Sequence, residues 1–251
     1  MKNFPRTIPT ITINRISNES SPVVCDEVRG WFIIPKLGER SEFAVYDTLT
    51  GDRICCIEAE ATNKAKVHNV EGVEFAANTF RADGTVKKTQ IVAQLSDTCC
   101  NFLSYFDTNG DVKRYTTFYD DAVAGYDVND FGSETHIKQE SFAKRDDNDK
   151  YIVNFGVRAR GVVGRYEVNI NGKVFDTVCV ANVDATRNNE LIEQYIDKNG
   201  RTILQREFMS DSMMMKNGMH IGMKSDIFPY SVKVNGNDYV CESIAVTDFA
   251  I

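Results

Sequence analysis

Two adjacent cysteine pairs, Cys55-Cys56 and Cys99-Cys100, are residues whose type could hold a metal or shuttle electrons. Zinc sites and dithiol catalysts separate their cysteines by two residues so that both sulfurs converge. Neighbours in a strand point to opposite faces, so the pleat would split each pair. Buried small hydrophobes are the better reading, and no metal or cofactor is expected. The three histidines, His68, His136 and His220, are scattered and match neither HExxH nor a nucleophile elbow. Asp107-Thr-Asn109-Gly-Asp111 opens like a calcium loop, but Val112 and Phe118 stand where that loop needs Gly and Glu, which leaves a hairpin turn.

Two further stretches could bind rather than react. Gly156–Gly164 (GVRARGVVG) carries the glycines of a phosphate cradle without the Lys-Ser/Thr that completes one. Arg158 and Arg160 would share one strand face there, and with Arg165 could form an anion-binding patch. The second stretch, SDSMMMKNGMHIGMKSDIFPY, places Met213, Met214, Met215, Met219 and Met223 close together. Methionine is flexible and polarizable, suited to surfaces that adapt to apolar partners. The bland alternative is a loop plugging the open end of a curved sheet. A soft copper site of these methionines with His220 is the weaker reading, because the spacing fits no regular strand.

The elements that position these residues read as strands. The organising stretch is Tyr166–Phe208, with Asn171-Gly172 and Asn199-Gly200 each between runs of alternating apolar residues. Asn-Gly supplies the two positive-φ residues of a type I′ hairpin turn. Tyr105–Gly110 (YFDTNG) matches Tyr195–Gly200 (YIDKNG), and Val70–Phe75 loosely matches Ile170–Phe175. Tyr230–Tyr239 echoes Tyr166–Phe175. These echoes suggest either a duplicated meander or shared turn chemistry. Strands are expected at 43–46, 53–61, 67–80 (split by Gly72), 88–95, 101–106, 112–119 and 151–208. A short helix is placed at 134–143.

The expected fold is mainly β, with α+β and one or two short helices as the alternative. Antiparallel hairpin meanders form two related lobes or one strongly curved sheet. The expected organisation is an N-terminal arm and anchor strand (1–42) and a first meander lobe (43–125). A polar connecting segment (126–150) then leads to a second lobe (151–251) carrying the Met-rich excursion at 210–230. The arm offers at most an edge strand, and GWFIIP (30–35), with the only Trp, a core anchor.

With 36 Asp plus Glu against 29 Lys plus Arg, the net charge of -7 argues against general nucleic-acid binding. No apolar run approaches the ~20 residues of a membrane span. Seven cysteines, an odd number, and an N-terminus without an apolar signal core lead to an expectation of free thiols and a cytoplasmic location. Two functions remain in view. The first is a binding or interaction module for an unknown protein or an apolar small ligand, with homodimerisation through an edge strand or the arm. The second is a hydrolase or lyase whose carboxylates come from separate strands. The sequence favours the non-enzyme.

Overall fold

The computed structural model describes residues 4–16, 36–67, 69–95, 99–109, 112–118, 125–127, 136–145, 151–184, 190–210 and 239–251. All regular structure among them is antiparallel strand, apart from a closing 3-10 turn at Asp248–Ala250. The strands are β1 (Ile11–Arg15), β2 (Arg40–Asp47), β3 (Arg53–Val67), β4 (Val70–Arg81), β5 (Val86–Leu95), β6 (Cys99–Asn109) and β7 (Val112–Phe118). They continue as β8 (Gly125–Asp127), β9 (His136–Arg145), β10 (Tyr151–Ile170), β11 (Lys173–Asp184), β12 (Glu190–Asp197), β13 (Thr202–Ser210) and β14 (Tyr239–Thr247). β-branched and aromatic residues alternating with polar ones dominate these runs, which suits a pleated surface with two unlike faces.

All fourteen strands belong to one sheet, ordered β1-β10-β11-β12-β13-β14-β2-β3-β4-β5-β6-β7-β9, with β8 against β6. The structure therefore takes the single-sheet form of the expected fold. β9 pairs with β7 through Tyr115–Phe118 and with β10 through Tyr151–Arg160. An order whose two ends share a neighbour must curve. The helix expected at 134–143 is instead β9: opposite β10 its backbone groups are satisfied by a ladder running from Arg145 to His136.

Asn171 (φ 51°) and Gly172 (φ 89°) form the expected two-residue turn between Ile170 and Lys173. The second turn differs. Only Gly200 (φ 75°) has positive φ there, Gly200 N donates to Asp197 O, and Asp197 N donates to Arg201 O. This is the longer loop closed by a glycine bulge, tightened by Asp197 Oδ1 accepting from the backbone N–H groups of Asn199 and Arg201.

Gly72 does not split a strand. It lies inside β4 opposite Ala65, where an added Cβ would come within 2.6 Å of Ala93 O. Close backbone approach, not a turn, explains the glycine, so Val70–Phe75 is no counterpart of Ile170–Phe175. The Tyr105 and Tyr195 turns both join consecutive paired strands. They are separated by an odd number of antiparallel steps, β12 to β6, and so leave opposite ends of the sheet. Shared turn chemistry accounts for their likeness more simply than a repeat rotated along the sheet. The third echo, 230–239, falls largely outside the described residues, as do 30–35.

The tightest core lies on one face of β10–β14 and β2. Tyr166, Val168, Ile170, Cys179, Tyr195, Leu204, Val246, Ala44, Tyr46 and Cys56 pack there with Phe4 and Ile13. The N-terminal segment is thus more than an edge. It runs from the β2–β3 turn, where Thr7 bridges Asp52 and Arg53 Nη1 donates to Phe4 O, to the edge of β10.

Candidate functional site

Two places could carry function, and the first is a buried polar cluster at the rim of the core. The β12–β13 hairpin sets Glu193 opposite Arg206, and β11 sets Cys179 opposite Tyr195. Glu193, Tyr195 and Cys179 are each 1% exposed and Arg206 is 3%. Glu193 Oε2 accepts from Arg206 Nε at 2.7 Å and from Tyr195 Oη at 3.0 Å, while Arg206 Nη2 donates to Tyr195 Oη at 2.7 Å. The guanidinium also lies over the Tyr195 and Phe208 rings, 5.5 and 5.2 Å from their centroids. Tyr166 meets Tyr195 edge to face, with centroids 5.7 Å apart.

Burial raises Glu193 above the usual carboxylate range, opposed by the Arg206 charge and its hydrogen bonds. Burial likewise pushes the Cys179 thiol and the Tyr195 phenol well above their ordinary values. A buried carboxylate with a raised pKa is how many acids of catalysis look. Here one of its oxygens is committed to a cation and a phenol, and the group is closed from solvent. The cluster is a buried ion pair that fixes the β12–β13 hairpin against the core. Sequence reasoning did not pair Glu193 with Arg206, although they lie symmetrically about Asn199-Gly200, a spacing that pairs them in a two-residue hairpin turning there.

The glycines of the supposed phosphate cradle are strand residues. Gly164 is buried at a bulge in β10, where an added Cβ would meet Tyr166 Cε2 at 3.2 Å and Arg15 Nε at 3.4 Å. Its smallness makes room for Arg15, not for a phosphate. Arg165 donates bidentately to Asp176. Arg158 and Arg160 pair through their backbones with Asp184 and Asn182 on β11 and with Lys138 and His136 on β9, and only their backbones are described. Met213, Met214, Met215, Met219 and Met223 lie outside the described residues. Cys55 and Cys56 are free thiols, and Cys55 is half-buried where Cys56 is buried, as the pleat requires. Among the described residues no cluster of His, Cys, Asp and Glu could hold a metal.

The second place is a face of the sheet. Register puts Phe43, Ile57 and Thr79 in one row across β2–β4, and Ala59, Ala77 and Thr89 in the next across β3–β5. Ala61, Phe75 and Ile91 form a third row. Residues directly opposite share a face. On this face Phe43, Val45, Ile57, Ala59, Val73, Phe75, Ala77 and Ile91 are only half-buried, while Ala61 and Ala93 at its far end are fully buried. The other face of the same strands carries Glu58, Glu60, Glu74, Asn78, Lys88 and Gln90 together with Ala44, Tyr46, Cys56, Ala76, Phe80 and Val92. The tight core reaches Cys56 on β3, and the half-buried apolar residues of β2–β5 lie on the opposite side of the sheet from it. This site was not expected from the sequence, which fixes alternation within a strand but not which side of it becomes covered.

Facing carboxylates, the mark of the alternative function, occur at Glu42 and Glu58, opposite each other on β2 and β3. Arg40 Nη2 stands 3.0 Å from one and 3.4 Å from the other, in the space such a pair would leave for a substrate.

This arrangement defines an antiparallel β-sheet protein with an apolar half-open face. No family model and no curated protein sequence matches the chain. Two solved structures are similar in outline. One is a "putative lipoprotein" from Parabacteroides distasonis, 12% identical over 87% of this chain and 96% of that one, with a TM-score of 0.41. The other is a "putative exported protein with YmcC-like fold" from Bacteroides fragilis, 13% identical over 86% of this chain and 97% of that one, with a TM-score of 0.38. Neither likeness places the chain in a family. The cytoplasmic location expected above is withdrawn beside them, one being named as a lipoprotein and the other as exported. Its physical basis also fails. Burial raises the Cys55 thiol to about 11 and Cys179 well above its ordinary value, so these free cysteines are poorly reactive in any compartment and report none.

Proposed function

We propose that this protein is a non-catalytic binding module that takes an apolar small ligand on the half-open face of β2–β5. One observation carries the reading: on the side of β2–β5 away from the tight core, Phe43, Val45, Ile57, Ala59, Phe75, Ala77 and Ile91 lie in adjacent cross-strand rows and are left partly exposed. A folded chain that covers its other apolar face so completely leaves such a patch where something is to bind. Small residues at the centre, Ala59 and Ala77, form the floor. Phe43, Ile57, Phe75 and Ile91 form the walls. The Met-rich run begins three residues after β13 ends, and its side chains are a proposed second contributor.

Titration with the neutral apolar fluorophore N-phenyl-1-naphthylamine tests the reading. Saturable emission enhancement is expected, and Ala77→Trp, which fills the floor, should reduce it strongly without lowering the unfolding temperature. If the probe does not bind, or binds the Trp variant equally, the reading fails.

A further inference from the structure

The β10–β11 turn carries a chemistry of its own, independent of what the apolar face binds. Asn171 and Gly172 are exposed there, and a Cβ added at Gly172 would meet nothing within 4 Å. A glycine after an asparagine leaves the peptide nitrogen unshielded, so it can attack the asparagine side chain. The Gly172 nitrogen gives up its proton and bonds to Asn171 Cγ, the Cγ–Nδ2 bond breaks, and ammonia leaves. Water then opens the resulting succinimide at either carbonyl, giving aspartate or isoaspartate.

In the folded chain both reacting groups are engaged. Asn171 Oδ1 accepts from Thr10 N at 3.0 Å, and Gly172 N donates to Asn169 Oδ1 at 2.8 Å. Asn171 N also donates to Thr10 O at 2.9 Å. Thr10 and Asn171 thus extend the β1–β10 ladder one step beyond Ile11 and Ile170, with a side-chain carbonyl in place of a backbone one. Ring closure requires rotation about the Asn171 Cα–C bond, which the two-residue turn, with φ of 51° and 89°, does not permit. Thr10 belongs to the N-terminal arm, which is anchored again at the β2–β3 turn. There Ile8 N donates to Gly51 O, Arg53 N donates to Arg6 O, and Phe4 is buried in the core.

We propose that Asn171-Gly172 is a spontaneous modification site gated by the N-terminal arm: the latched arm blocks succinimide formation, and conversion to isoaspartate unlatches the arm. Release of the arm removes the donor to Oδ1 and lets the turn open, so the rate follows the fraction of time the arm is off. Isoaspartate adds a backbone methylene, over which a two-residue hairpin no longer closes. The aspartate product keeps an oxygen for Thr10 N and retains the latch. Asn199-Gly200 is the internal comparison, because its bonds run to Asp197 within its own hairpin.

Incubation of the full chain in mildly alkaline buffer, followed by peptide mapping with mass spectrometry, reads both asparagines at once. Asn171 should convert at least about tenfold more slowly than in a synthetic peptide of residues 166–176. Phe4→Ala, which loosens the arm at its far anchor, should close much of that gap and leave the rate at Asn199 unchanged. Thr10→Pro, which removes the donor to Oδ1, should act in the same way. A rate at Asn171 equal to the peptide's, or one that neither variant raises, overturns the gating. Trypsin should cut after Arg6 faster in the isolated isoaspartate form than in wild type or Asn171→Asp, and equal cutting in all three overturns the unlatching.

Discussion

Replacing Arg206 by methionine isolates the energetics of the buried cluster. The aliphatic stem is kept, so packing over the Tyr195 and Phe208 rings is largely retained and the lost quantity is the charge. Glu193, 1% exposed, is then left with Tyr195 as its one remaining donor, and the Arg206 charge that opposed its desolvation is gone. Removing one partner of a buried ion pair costs about 3–5 kcal/mol. For a chain of this length that lowers the unfolding temperature by roughly 6–20 °C, taking about 2–4 °C per kcal/mol. The double replacement Arg206→Met, Glu193→Leu removes both charges and should recover most of the loss. Thermal and urea unfolding of wild type, the two single variants and the double variant form a complete cycle. Additive losses, or a single-variant loss below about 1 kcal/mol, as for an exposed pair, would refute the reasoning that these groups are a coupled buried unit.

Further expectations follow from the same structure. Because burial raises Glu193 above its ordinary 4.5, the folded state holds that proton more tightly than the unfolded chain. Its stabilising contribution is therefore full below that value and lost as pH rises through the folded-state pKa. Glu193→Gln should gain on wild type in urea midpoints measured from about pH 4.5 to about pH 8, and a constant difference would count against the shift. Gly172→Val should cost about 1–3 kcal/mol through backbone strain alone, since a Cβ there meets nothing within 4 Å. Gly51 also has positive φ (77°) and its carbonyl accepts from Ile8 N, so Gly51→Val should cost about as much. Under native conditions Cys56 and Cys179 should resist a thiol reagent, with Cys55 reacting slowly. Rapid reaction of Cys179 would contradict its burial.

The sequence marked several hairpins where turn chemistry is local, but not the β3–β4 turn at Asn69, which fell inside the strand expected at 67–80. Asn171-Gly172, the Asp47–Asp52 turn and the direct β6–β7 connection all lie where glycine, asparagine and alternation pointed. It misled where one residue type serves two needs. Gly72 and Gly164 looked like a turn and a phosphate loop, yet each makes room for a neighbour that local sequence does not announce: the Ala93 carbonyl on the next strand in one case and the Arg15 side chain of β1 in the other. The polar run at 134–143 read as a helix because its pairing with β10 is long-range and leaves no local trace. Glu193 and Arg206 were legible in principle from their symmetry about a turn. The apolar face of β2–β5 was not, because the covered side depends on long-range packing, including that of the N-terminal segment against the β2–β3 turn, which leaves no local signal.

The central claim is that the apolar face from β2 to β5 is where a ligand sits. Methyl NMR during titration with dodecanol tests it residue by residue. Shifts are expected at Ile57, Val73, Ala77 and Ile91, with Val168, Ile170 and Leu204 of the covered core unchanged. Shifts concentrated in the covered core, or spread evenly over both sets, would contradict it.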